Sequence, residues 1–127
     1  MEGRKKELNI STEKEDRITR SYAYELVDML NKGEVTSREI LTVLAHRCTV
    51  VGSDLNLITE IDFEVADRAA QKCDDERRKT GKKNWTFRDD WNPETHLPPL
   101  FGVPTSVKDM FDQKGKRSTL GVTARAH

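Results

Sequence analysis

The sequence predicts an α/β fold, helical in its amino-terminal part and passing into the first strands of a sheet. Three observations predict it. Apolar residues recur at helical spacing between residues 22 and 79, whereas residues 55–61 and 100–108 are short β-rich runs. Punctuation is orderly, with a capping spacing or a glycine near each expected helix end. The third observation is a shortage of core material. Of the 127 residues 35% are hydrophobic and 35% charged, against roughly 45–50% and about 25% in an average globular chain. Such a chain buries little surface alone. Either the domain is incomplete and packs against further structure, or it is a well-solvated helical module.

Met1 to Arg20 is charged throughout, with Leu8, Ile10 and Ile18 scattered along it, and reads as a disordered arm or a solvated helix. Residues 21–127 then form the domain proper. Ser21 is placed to cap a helix from Tyr22 to Lys32, in which Ala23, Leu26, Val27 and Leu30 make one apolar stripe and Gly33 the stop. Thr36 and Glu39 have capping-box spacing, predicting a second helix to about Cys48 with Ile40, Leu41, Leu44, Ala45 and Cys48 inward. Leu55, Leu57, Thr59 and Ile61 alternate, which predicts a short strand. Asp62 is a cap for a third helix, Phe63 to about Lys79, whose buried stripe is Ala66, Ala69, Ala70 and Cys73. On its wet side Glu64–Arg68, Asp74–Arg78 and Asp75–Lys79 are i,i+4 pairs. Residues 81–99 form a polar loop. Its aromatic residues Trp85, Phe87 and Trp91 are expected to cover the domain's own core, with a partner or membrane contact as the alternative. Leu100 to Lys108 is the second strand, with Pro104 restricting it to an edge or a strand start.

That last stretch carries the chemistry. Leu100-Phe101-Gly102-Val103-Pro104-Thr105-Ser106-Val107-Lys108-Asp109 is an apolar run ending in a lysine. A lysine in such a place snorkels to water, pairs with a carboxylate, or sits neutral and acts as a base. Together with Lys114-Gly115 and Ser118-Thr119-Leu120-Gly121, the stretch resembles the amidase signature family and, within it, the branch containing the fatty acid amide hydrolases. Family members carry a Gly-(Ile/Val)-Pro-x-x-x-Lys-(Asp/Glu) segment, matched here by Gly102, Val103, Pro104, Lys108 and Asp109. The resemblance extends more weakly back to about Tyr22 and includes the helical hairpin around Gly33. It implies a mixed-sheet core wrapped by helices. It further implies hydrolysis of carboxamides, fatty acid amides among them, through an acyl-enzyme and without metal or cofactor. Lys108 would be the base of a Ser-Ser-Lys triad. The family's Gly- and Ser-rich segment with both serines would lie downstream, so the chain is expected to be an amino-terminal portion, inactive alone. Residues 81–99 depart from the family, which reaches this motif within a few residues of the preceding helix.

Other chemistries find less support. Equal numbers of basic and acidic residues, 22 each, give no pull toward nucleic acid. Gly115-Lys116-Arg117-Ser118 resembles the end of a P-loop, but Met110 stands where the first glycine belongs. His46 and Cys48, with Cys73, His96 and His127, lack metal-ligand spacing. Ser106 shares a strand face with Lys108 and Ser118 lies in a Gly-flanked turn, but neither matches the family's nucleophile segment. No secretory signal or membrane span is visible, and two cysteines make no disulfide framework, so an intracellular, cytoplasmic setting is expected. The partners expected are a small amide substrate in the full-length enzyme and no nucleic acid; membrane association has no support in the sequence. A helical interaction module descended from an amidase is the alternative function.

Overall fold

The computed structural model describes residues 2–122 and 124. Among the described residues, five helices lead into an irregular stretch over 81–122. They are α1 (Glu2–Glu7), α2 (Thr12–Arg20), α3 (Ala23–Lys32), α4 (Ser37–Asp54) and α5 (Phe63–Thr80). β1 (Lys83–Asn84) and β2 (His96–Leu97) pair in parallel, Lys83 with His96 and Asn84 with Leu97. This agrees coarsely with an α/β chain. The two-residue ladder is the only sheet among the described residues.

α4 is the central element and packs against α5, α2 and α1. The core is Ile18, Leu26, Met29, Leu30, Val35, Ile40 and Val43, with Ile10, Leu44 and Val103 packed against it. Residues 2–20 are therefore not an unfolded arm. Ser11 caps α2 by accepting the Lys14 N–H, Ile18 is 1% exposed, and Lys14 pairs with Glu39 of α4 at 2.9 Å. Ile18 of α2 enters the core and Ile10, between α1 and α2, packs against it, while Lys5–Glu15 and Lys14–Glu39 pair along the half-buried flanks.

Helix ends follow local chemistry. Gly33 takes φ +71°, and the N–H groups of Gly33 and Glu34 close on Leu30 and Met29, a Schellman stop that satisfies otherwise orphaned carbonyls. The Thr36–Glu39 box forms in both directions, at 3.2 and 2.8 Å. Asp62 accepts the Val65 N–H. Ser21, expected to open α3, instead closes α2: its N–H and hydroxyl both donate to the Arg17 carbonyl. α3 is opened by Glu25, whose carboxylate accepts the Tyr22 N–H at 2.7 Å.

Neither expected strand forms. α4 runs six residues past Cys48, to Asp54, and ends in a second Schellman turn. Asn56 takes φ +52°, while the N–H groups of Asn56 and Leu57 donate to Ser53 and Gly52. Ile58 folds back against Gly52, where an added Cβ would meet it at 3.1 Å. Leu55 and Leu57 stay exposed, since their alternation has no sheet to face. Residues 100–108 begin with turns, Phe101 N–H to Pro98 and Val103 N–H to Leu100, and then run without a ladder. A strand needs a neighbour to take its backbone groups, and Pro104 supplies no donor.

α5 buries a stripe different from the expected one. Ala70 and Asp74 are buried, Phe63, Ala66, Cys73 and Arg77 are half-buried, and Ala69 is exposed. Asp74 is thus withdrawn from Arg78, which pairs with Asp75 at 3.0 Å. Two aromatic residues of the 81–99 loop also depart from expectation: Phe87 is 83% exposed and Trp91 49%, whereas Trp85 is half-buried. Trp91 instead packs edge-on against Trp85 and stacks near His96.

Candidate active site

The stretch that ends in Lys108 leaves the bundle from a built seat. One side of the seat is the start of α4. The Asp74 carboxylate, on α5, accepts the backbone N–H groups of Ser37 at 2.7 Å and Arg38 at 3.2 Å, satisfying two orphaned donors at that helix terminus. Gly102 lies against the same residue. It holds φ +86°, and a Cβ there would stand 2.3 Å from the Ser37 Oγ, so only glycine fits both the backbone and the space. Cys73 lies beside it, and burial pushes its thiol up.

The other side is polar. Phe101's carbonyl accepts from Asn84 Nδ2 at 2.9 Å and from Arg77 Nη2 at 3.2 Å. Asn84 is 2% exposed. Burial pulls the Arg77 guanidinium down from its ordinary value. Val103 then enters the core, and from Thr105 onward the chain emerges into solvent.

Lys108 and Ser106 are both exposed. Among the described residues, neither side chain makes a hydrogen bond or ion pair. Asp109 turns the chain back on itself. Its carboxylate accepts from the Thr119 N–H and hydroxyl and from the Leu120 N–H, at 3.3, 3.2 and 2.9 Å. Its carbonyl accepts the Ser118 hydroxyl. Ser118 is therefore occupied as a loop tie, and among the described residues no base side chain is hydrogen-bonded to it. Lys116 ties the loop to the α4–α5 connection, donating to Glu60 and Asp62 at 2.5 and 2.6 Å. The hydrogen bond from Lys116, then the Val65 N–H, holds the Asp62 carboxyl below its usual range. Asp62 and then Glu60 raise Lys116 in return. Between connection and loop lies a cavity of ≈ 440 Å³ lined by Thr59, Thr105, Val107, Phe111, Lys116 and Thr119, among others. Lys108 is not part of that lining.

The structure thus does not bring Lys108 together with Ser106 or Ser118. Among the described residues no three His, Cys, Asp or Glu side chains converge as a metal site; His127 lies outside them. No helix among them is long and apolar enough to cross a membrane. The sequence reasoning missed Asp74, Arg77, Asn31 and Asn84. A signal was present: Asp74 and Arg77 continue the helical spacing of Ala66 and Ala70.

An amidase from Gibberella moniliformis is 33% identical to this chain over 91% of the chain and 19% of its own length. The chain is a homologue of the amidases. It spans about a fifth of the length of the curated relatives it matches. A probable amidase of Saccharomyces cerevisiae is 28% identical over 92% of the chain and 18% of its own length. Fatty acid amide hydrolase 1 of Caenorhabditis elegans is 27% identical over 99% of the chain and 20% of its own length. No family model matches, and no solved structure does. In this amidase homologue the Gly102-to-Asp109 motif is the segment that the seat presents.

Proposed function

We propose that the chain is the amino-terminal portion of a serine-dependent amidase that hydrolyses carboxamides, fatty acyl amides foremost, with Lys108 as the base of a Ser-Ser-Lys triad. One observation carries the proposal: the Gly102-Val103-Pro104…Lys108-Asp109 spacing in a homologue of the amidases. The family's mixed sheet would take up residues 103–108 as a strand. Serine is inert until its proton is removed, and a lysine can remove it only where desolvation lets it stand neutral. Lys108 is exposed in the 127-residue chain, so the burial this chemistry needs must come from further structure. The 127 residues alone are expected to hydrolyse no amide.

The test is to read the coding sequence past residue 127, express what it encodes, and assay a long-chain primary amide beside a short one. Turnover should fall about 10²–10⁴-fold in Lys108→Ala, the usual worth of a positioned base. Undiminished turnover in that variant would overturn the assignment.

A second reading, a non-catalytic interaction module descended from an amidase, is favoured by an apolar groove of ≈ 410 Å³. It runs between α3 and the 81–99 loop and is lined by Tyr24, Val27, Trp85, Phe87 and Leu100. A stop codon after His127 in a chain that unfolds cooperatively would favour the module.

A further inference from the structure

We infer that Asn84, with Arg77, is a positioning pair that seats the segment bearing Lys108, and that this is the task of the first residues of the 81–99 loop. The inference rests on the assignment of Lys108 as the base.

Asn84 has every polar group engaged. Its N–H donates to Asn31 Oδ1 at 2.7 Å and its carbonyl accepts from Asn31 Nδ2 at 3.1 Å. Its side-chain oxygen accepts from Arg77 Nη2 at 2.7 Å. Its amide nitrogen donates to the Pro99 carbonyl at 3.0 Å and to the Phe101 carbonyl at 2.9 Å. A side-chain amide offers two donors and one acceptor group, so it is fully used. A buried polar residue with nothing to hold would be better replaced by an apolar one.

The direction of these bonds shows what is held. Both donors reach carbonyls 15 and 17 residues further along the chain, at the head of the motif. Arg77 doubles the grip on Phe101. Gly102 is held against Ser37 and Val103 against the core. The segment is therefore fixed on three sides at residues 101–103, five residues before Lys108. The loop that interrupts the family pattern thus contributes the residue that orients it. A misplacement of about 1 Å at a distance from the chemistry can cost on the order of 10²-fold in rate, so such a seat matters to a base.

Amide exchange of the 127-residue chain, read by NMR, tests the seat. Asn84→Asp keeps the size and the acceptor for Arg77 but loses both donors. Exchange at Phe101, Gly102 and Val103 should quicken about tenfold or more, with Leu30 and Val43 unchanged. Equal quickening at Leu30 and Val43 would mean a merely structural residue and overturn the inference; so would unchanged exchange at 101–103. Arg77→Met gives the same readout should Asn84→Asp fail to fold. In the protein expressed from its whole coding sequence, Asn84→Asp should lower kcat about tenfold or more and leave KM within about twofold. Local exchange without a change in kcat would leave a seat that does not position the base. Absence of any Lys108-dependent turnover would sink the assignment of the base, and the positioning role with it, while the exchange result would still decide the seat.

Discussion

Gly102 shows how much can rest on a missing side chain. Alanine there must accept a left-handed backbone, costing roughly 1–2 kcal/mol, and also collide with the Ser37 hydroxyl, for which the added Cβ would be 2.3 Å away. Gly102→Ala should therefore destabilise the chain by about 2 kcal/mol or more, read from the urea midpoint at unchanged slope. The Ser37 Oγ is buried and has no hydrogen-bond partner among the described residues, so Ser37→Ala alone should be neutral or slightly stabilising. In combination, Ser37→Ala should return part of the Gly102→Ala loss, because the two sites touch. A strictly additive pair would show that the close approach costs nothing. Gly102 was legible in the motif, but the reason for it was not. That reason is Ser37, 65 positions earlier, and no spacing along the chain points from one to the other.

At the scale of elements, caps were easier to find than partners. Gly33, the Thr36–Glu39 box and Asp62 were readable because each acts within a few residues of itself. Ser21 was misassigned because two helices meet there and a serine can serve either. Asn56 was the missed stop of α4: its side chain tolerates the left-handed turn, and the alternating Leu55–Ile61 pattern masked it. Asn56→Ala should lower stability by about 1 kcal/mol or more, while Asn56→Gly should keep or slightly raise it. A melting series of the three proteins checks the order, and an Ala variant as stable as the parent would refute the turn's importance. Both strand expectations failed for one reason. A strand is a relation between segments, and the partners implied by the resemblance are not among the described residues.

For the whole molecule, charge links the amino-terminal helices to the rest. Asp67 on α5 accepts from Arg38 of α4 at 2.9 and 3.2 Å and from Arg4 of α1 at 2.8 Å. The Arg38 hydrogen bond leads in holding its carboxyl below the usual range, against an opposing effect of burial. A depressed folded pKa means that this stability is present above the unfolded carboxylate value, about 3.9, and is lost as pH falls through the folded one. Acid unfolding below about pH 4 should therefore be shallower in Asp67→Asn, which should also lose about 1–3 kcal/mol near neutrality. Identical acid limbs for the two proteins would show that the link contributes nothing. The sequence pattern placed this residue on a helix. It did not foretell that three helices meet on one carboxylate.

Both tryptophans, Trp85 and Trp91, lie in the 81–99 loop and touch each other, and the Trp85 indole donates to the Asp89 carbonyl. Intrinsic fluorescence of this protein consequently reports the loop, whereas far-ultraviolet dichroism reports five helices that contain no indole. Emission that shifts before ellipticity falls signals a loosened loop on an intact bundle. The same optical gap makes emission a ready signal for anything that settles beside Phe87.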